Sequence, residues 1–497
     1  MKLADAIARI SVKSVSGTLE TEITGVCHDS RKVEKGSLFC ALPGEKVDGN
    51  DFISTALERG AAAILSQKPY PAESPVPWVH VSDARAAMAR IAANLHGDPS
   101  QAFPVVGITG TNGKTTTAFL IHHLMTASWR RAGLIGTVRY QIGDEVFDAP
   151  HTTPESADLQ ALLAEMRDAD CRGAVMEVSS HGLVQHRTDA IRFAAGVFTN
   201  LSQDHLDYHK TMEAYYAAKR LLFQQIEAQG GSGKGAPALI VNRDDRWGER
   251  LAKETFSHVR QFTYGMGAHC DFRAANPTID FNGTQFQLAM EGRQMLVKTP
   301  LIGRFNIYNA LAALSVAYGI GMNFREAVRH LESAPQVPGR LESVGDRKIN
   351  FRVYVDYAHT PDALENVLKT VRDLKPRRLI VVFGCGGDRD RTKRPMMGAA
   401  AERLSDLAIL TSDNPRTEDP EAIVAQTRAG MTGNRIGVIP DRKQAIAEAI
   451  RLAGERDIVV IAGKGHETYQ EIEGVRHPFD DREIARQCIA AKAEGTL

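Results

Sequence analysis

Apolar residues in this chain gather into short unbroken runs, at 61–65, 76–81, 104–109, 174–178, 195–199, 238–242, 353–356, 379–383, 407–411 and 458–462. Runs of this length bounded by Gly, Pro or polar residues read as strands buried on both faces. Helical stretches separate most of them, and strand–helix alternation builds a parallel sheet covered by helices on both sides. Turn-forming clusters interrupt the pattern at Gly97-Asp98-Pro99-Ser100 and at 335–339. The expectation is an α/β chain of three domains: a small N-terminal α/β domain at 1–98, a central parallel-sheet domain at 99–334 and a C-terminal Rossmann-like α/β domain at 335–497. The segment 261–300 looks more antiparallel, and 230–235 reads as a short flexible glycine-rich loop.

Composition narrows the function classes. The 497 residues are 43% hydrophobic and 24% charged, so the chain can bury real cores. Lys plus Arg equals Asp plus Glu at 60 each. No bulk field therefore exists to hold nucleic acid or an anionic membrane, and any anion must be met by a local site. The six cysteines form no CxxC pair and read as reduced thiols. The N-terminus lacks a signal-peptide pattern, and no run of about 18 apolar residues occurs, so a cytoplasmic location without membrane insertion is expected.

The sharpest local signal is TGTNGKTTT at 109–117, lying between a buried strand and a helical run. Gly110 and Gly113 let backbone N–H groups approach phosphate oxygens, the following helix N-terminus adds positive dipole, and Lys114 adds a cation. Thr115 can ligate Mg2+. The usual first glycine of a phosphate loop is displaced, with Ile108 in its place and Gly107 one earlier. An ordinary glycine-rich turn is the alternative; Gly-Lys-Thr-Thr in this context favours a nucleotide and a central domain of P-loop type.

Other chemistry-bearing residues also follow strand ends, namely Glu177, Asn200, Asp356, Gly384, Ser412 and Gly463, where open α/β sheets bind ligands. Glu177 precedes SSHGLVQHR, and His205 lies in TNLSQDHLDYH. Together they suggest a metal and acyl-substrate site; alone, each carboxylate or histidine is more often structural. Lys219, in EAYYAAKRLLF, reads by spacing alone as a solvated helix lysine.

The loop TGTNGKTT resembles the ATP loop of the Mur ligases and of the related folylpolyglutamate synthases, and further Mur-like segments follow in order along essentially the whole chain. The resemblance implies ATP contacts from Gly110, Thr111, Asn112, Gly113, Lys114, Thr115 and Thr116. It adds Asn309 in IGRFNIYNALAAL at the adenine, Arg340 in PGRLE at the phosphates, and Asp356 and His359 in VDYAHTPDAL. Mg2+ would be organised by Thr115, Glu177, His205 and a carbamylated Lys219, with Lys114, Lys219, Glu177 and His205 carrying catalysis. CHDSRKVEKGSLFCAL, with Ser30, and HTTPES, with Thr152 and Thr153, resemble the UDP-muramoyl dipeptide segments of the enzymes acting at the third peptide position. Ser179, Gln185 and Arg187 join them. SDNPRTEDP matches the motif associated with meso-diaminopimelate, giving Asp413, Asn414, Pro415 and Arg416, with Arg389, Gly463 and Glu467 in the same amino-acid site.

The resemblance thus implies a UDP-binding N-terminal domain, a central ATPase domain and a C-terminal amino-acid-binding domain. The implied reaction is ATP-dependent amide formation between UDP-N-acetylmuramoyl-L-alanyl-D-glutamate and meso-2,6-diaminopimelate, by a cytoplasmic monomer of peptidoglycan synthesis. The rivals are a folylpolyglutamate synthase, which should lack DSR, HTTPES and DNPR, and a nucleotide-dependent switch without chemistry.

Overall fold

The computed structural model describes residues 1–44, 47–71, 74–231, 233–345, 349–433 and 435–497. The chain forms two compact units: Met1–Asn276 with Phe286–Lys298 and Ile307–Ser333, and Pro277–Gln285 with Thr299–Asn306 and Ala334–Leu497. Among the described residues no helix is long and apolar enough to cross a membrane.

The first unit opens on a sheet in the spatial order Val12–Ser16, Trp78–Val81, Ala63–Ser66, Ser37–Ala41, Gly25–Cys27. Only Val12–Ser16 runs antiparallel to its neighbour. Successive side chains of a strand point to opposite faces. Leu38 and Cys40 accordingly pack with Val79, Met88 and Ile91 on one side, and Phe39 and Ala41 with Ile64 and Trp78 on the other. Both faces are core, which is why SLFCA carries no polar alternation.

The larger sheet has six parallel neighbours, Gly133–Ile135, Ala174–Glu177, Val105–Thr109, Phe193–Phe198, Ala238–Asn242 and Arg260–Gly265. The chain starts on Val105–Thr109 and next builds Gly133–Ile135, leaving a gap that Ala174–Glu177 fills. It then continues on the opposite side with Phe193–Phe198. Such a reversal opens a crevice at the strand carboxyl ends, and the 109–117 loop lies there. The antiparallel expectation for 261–300 fails at its start. Arg260–Gly265 is parallel to Ala238–Asn242, and Phe272–Asp280 is parallel to it in turn, before the sheet ends on Gly283–Met290 and Arg293–Thr299. The crossover helix Arg246–Ala252 returns the chain in the parallel sense. In the 230–235 loop, Gly230 has φ 72° and Gly233–Gly235 is a 3-10 turn, while Ser232 lies outside the described residues.

The second unit has the sheet order Glu342–Val344, Arg352–Asp356, Ile458–Ala462, Leu379–Phe383, Leu407–Leu410, Ile436–Val438, parallel except for the first strand. Val381 and Phe383 enter one core and Ile380 and Val382 the other, so LIVVF is buried on both faces.

Candidate functional site

The phosphate-loop candidate is held open by conformation and pinned by its neighbour strand. Gly110 and Gly113 have φ 147° and 86°, and a Cβ at Gly110 would collide with the Thr199 side chain. Thr111 N donates to Asn200 O at 2.9 Å, Asn112 N to Asn200 Oδ1 at 2.9 Å, and Thr199 Oγ1 to Asn112 O at 2.7 Å. Lys114 opens the helix Lys114–Trp129, and its Nζ donates to Gly110 O and Thr111 O at 2.9 Å each. Thr116 is buried in that first turn, and Asn309 Oδ1 accepts from Thr117 Oγ1 at 3.2 Å. The Lys114 ammonium thus lies over the loop backbone at the start of the helix, the arrangement by which helix N-termini receive anions.

Glu177 closes the adjacent strand and is buried. Its Oε2 accepts from Thr115 Oγ1 and Thr137 Oγ1 at 3.1 Å each, and its Oε1 from Thr137 N at 2.8 Å. Lys219 is 1% exposed, so the solvated-helix reading fails. Its Nζ donates to Gly110 O at 2.8 Å and lies 4.5 Å from the Tyr215 ring centroid. Burial, and then the Lys114 cation, push its pKa well below the ordinary lysine value. His205 caps the helix Leu206–His209 with φ 53°, 3.4 Å from Asp204 and with its ring centroid 5.1 Å from that of His181. Thr115, Glu177 and Lys219 thus meet around the loop, and His205 touches Asp204, His181 and Tyr215. Among the described residues no three His, Cys, Asp or Glu side chains gather as metal ligands.

Five of the six muramoyl-dipeptide candidates form one network on the same strand end. Thr153 Oγ1 donates to Glu177 O and accepts from Ser179 N, both at 3.0 Å, and Thr152 Oγ1 lies 3.0 Å from Thr137 Oγ1. Arg187 donates to Thr153 O and Gln185 Oε1 at 2.7 Å each and pairs with Glu155 at 2.8 Å. Ser179 Oγ accepts from Gly182 N at 3.0 Å. Ser30 is buried in the 3-10 turn Ser30–Lys32, capped by Asp29.

In the second unit, Asp356 Oδ2 accepts from Leu341 N at 2.6 Å and Oδ1 from Ala358 N at 2.8 Å, and burial pushes its pKa up to about 6. The Arg340 guanidinium lies 4.9 Å from the Tyr357 ring centroid, and His359 Nδ1 donates to Tyr357 O at 2.7 Å. Beyond the ends of Leu407–Leu410 and Ile458–Ala462, Asn414 Nδ2 donates to Glu467 Oε2 at 2.8 Å, and Asp413 Oδ1 accepts from Asn414 N at 2.7 Å. Arg416, with φ 54°, donates from Nη1 to Gly387 O at 2.7 Å, and its Nε lies 3.7 Å from Glu471. Arg389 and Arg416 flank Gly386, whose absent Cβ would sit 3.0 Å from Arg416 Nη1 and 4.0 Å from Arg389 Cγ. Pro415 follows Asn414 in the same turn, and Gly463, with φ 119°, packs against the Asp413 carboxylate. Burial raises the pKa of Glu467.

Two residues escaped sequence reasoning. Thr137 makes two bonds to Glu177 but sits in an unremarkable turn. Lys464, between Gly463 and Gly465, is 0% exposed and donates to Asn414 Oδ1 at 2.9 Å, to Glu467 Oε2 at 3.2 Å and to Tyr469 O. A lysine enclosed by glycines directly after a buried strand was the available signal.

Comparison with known proteins supplies the relationship. The family models described as Mur ligase family, catalytic domain; Mur ligase middle domain; and Mur ligase, glutamate ligase domain match residues 22–96, 108–317 and 339–465. The UDP-N-acetylmuramoyl-L-alanyl-D-glutamate–2,6-diaminopimelate ligase of Geobacter metallireducens is 44% identical, with 100% of each chain covered. The Clostridioides difficile protein of the same name is 42% identical over 99% of this chain and 100% of its own length. A solved structure of a ligase so named matches with TM-score 0.71 and 36% identity, covering 99% of both chains. With three family models matched in succession along the chain and full-length relatives at 42–44% identity, the chain belongs to the Mur ligase family.

Proposed function

We propose that this chain is an ATP-dependent amide ligase that joins meso-2,6-diaminopimelate to the D-glutamate carboxylate of UDP-N-acetylmuramoyl-L-alanyl-D-glutamate in peptidoglycan precursor synthesis. One observation carries the reading. Asn414 and Arg416 follow Leu407–Leu410 and Glu467 follows Ile458–Ala462, the two strands that flank Leu379–Phe383, and they supply an arginine, an amide and a carboxylate suited to an amino acid bearing distal carboxylate and ammonium groups. The names of the full-length relatives support the same substrate pair.

In this reading the loop amides and Lys114 hold ATP, with Lys114 facing the transferred phosphoryl group. The D-glutamate carboxylate, oriented by Thr152, Thr153, Ser179, Gln185 and Arg187, attacks the γ-phosphorus and becomes an acyl phosphate while ADP leaves. The substrate amine then attacks the acyl carbon, a tetrahedral intermediate collapses with loss of phosphate, and an amide remains. Thr115 Oγ1 and the Glu177 carboxylate, hard oxygens 3.1 Å apart, fit Mg2+, which would neutralise charge on the phosphoryl oxygens. Lys219 fits a carbamate. Burial disfavours its ammonium form, and the neutral amine adds to CO2 with loss of a proton; the anion formed beside Lys114 would hold cation.

Phosphate release in the presence of ATP should require both UDP-muramoyl dipeptide and a diamino acid. An amino-acid panel should give amide product best with meso-diaminopimelate. Release without the dipeptide, or product with glutamate on a folate acceptor, would overturn the assignment.

A further inference from the structure

The second unit contains a buried cation that the mechanism above leaves unused. Lys464 has no solvent exposure, and an ammonium in such a place persists only where acceptors replace its water. Its three acceptors lie on three different segments: Asn414 Oδ1 in the turn after Leu407–Leu410, Glu467 Oε2 in its own loop, and Tyr469 O at the start of the hairpin Tyr469–Ile472 and Val475–Pro478. That hairpin returns to the same turn. Gln470 Nε2 donates to Asp413 O at 2.7 Å, Glu471 N to Asn414 Oδ1 at 3.0 Å, and Arg416 N to Glu471 O at 2.9 Å.

These bonds fix which way two side chains point. Asn414 Oδ1 takes two donors, Lys464 Nζ and Glu471 N, so its amide NH2 must face Glu467. Glu467 Oε2 in turn takes Asn414 Nδ2 and Lys464 Nζ, which commits that oxygen to the protein and leaves Oε1 to meet a ligand ammonium. A rotated Asn414 would set its NH2 against the Lys464 ammonium, donor against donor.

We propose that Lys464 is a positioning residue of the amino-acid site, holding Asn414 and Glu467 in the one orientation in which Glu467 Oε1 meets the distal ammonium of the incoming diamino acid. The inference rests on the functional reading above.

The test compares Lys464→Met, of like length without donors, Lys464→Gln, which keeps one donor, Glu467→Gln, and the double variant Lys464→Met/Glu467→Gln in the full chain. Lys464→Met should raise KM for meso-diaminopimelate about tenfold or more, the loss of a charged hydrogen bond, while KM for ATP and for UDP-muramoyl dipeptide stays as in wild type. Lys464→Gln should fall between wild type and Lys464→Met. The double variant should be no worse than Glu467→Gln alone, because Lys464 acts through Glu467. Should Lys464→Met not fold, Lys464→Gln and its double variant carry the same comparison. A wild-type KM for diaminopimelate in a folded Lys464 variant would overturn the proposal, as would equal rises in all three KM values or full multiplication of the two losses. Wild-type behaviour of Glu467→Gln would instead overturn the amino-acid site itself.

Discussion

Gly113 shows how much a single position can decide. Its φ of 86° disfavours any side chain, and a Cβ there would lie 2.6 Å from Asn309 Oδ1. Gly113→Ala should therefore lose ATP turnover by about a hundredfold or more while destabilising the fold by roughly 1–3 kcal/mol. Steady-state kinetics beside thermal melts separate the two effects, and unchanged ATP kinetics would remove the loop from the reaction. Asp356 makes a pH prediction. Its buried carboxyl titrates near 6 when folded, against about 4 when unfolded, so folding favours the protonated form. Ionisation then costs nothing below about pH 4, and the cost grows between 4 and 6 to about 3 kcal/mol above that window. Asp356→Asn carries no charge, so wild-type stability relative to this variant should decline by that amount from pH 4 to 7. A flat difference in denaturant midpoints would contradict it. Lys219 marks the limit of reading residues by pattern. Nothing in EAYYAAKRLLF distinguishes a lysine facing water from one facing the phosphate loop, because its partner, Gly110 O, lies 109 positions earlier in the chain.

Among elements, the buried strands were the legible part. The runs 238–242, 379–383 and 458–462 coincide with Ala238–Asn242, Leu379–Phe383 and Ile458–Ala462, since both faces of each are core. Ends drift where a terminal residue serves a loop: the run 195–199 becomes Phe193–Phe198 because Thr199 turns to bond Asn112 O. Strand direction at 260–265 was not legible, because hydrophobic period carries no information about parallel or antiparallel pairing. The loops of the proposed amino-acid site are joined by a pair the sequence did not announce. Arg394, 0% exposed on the helix Lys393–Leu404, donates to Glu418 Oε1 at 2.8 Å and Oε2 at 3.0 Å, and Glu418 also accepts from Asp388 N at 2.6 Å. The hydrogen bonds from Arg394 hold the Glu418 carboxyl down to about 2. Its contribution to stability is thus present above about pH 4.5 and lost as pH falls toward 2. Glu418→Gln leaves the guanidinium uncompensated and should cost about 3–5 kcal/mol at pH 7. A loss below 1 kcal/mol in urea unfolding would show the pair to be dispensable.

At the scale of the whole molecule, the sequence reading of three α/β regions agrees with the three family segments. It did not foresee that Pro277–Gln285 and Thr299–Asn306 leave the first unit for the second, since pairing between distant segments leaves no local mark. The division has a functional consequence. The 109–117 loop and the Thr153–Arg187 network belong to the first unit, and Arg416 with Asn414 and Glu467 to the second, each built on its own cores. Diaminopimelate and lysine differ by the distal carboxylate assigned to Arg416, with Asn414 and Arg389 beside it. Lysine leaves those donors unmatched, and an unpaired partner in such a contact costs about 2–5 kcal/mol, a preference from about tenfold to several thousandfold. Wild type should therefore use lysine poorly. Arg416→Ala should lose diaminopimelate turnover by a similar factor while retaining wild-type affinity for ATP and for UDP-muramoyl dipeptide, measured by calorimetric titration, because the loop and the Thr153–Arg187 network keep every bond described for them. It should gain no lysine activity, since deleting the arginine supplies no new attraction for the shorter substrate. Wild-type diaminopimelate kinetics in this variant, or equal use of lysine by the native protein, would reject the substrate assignment while leaving the ligase chemistry of the first unit standing.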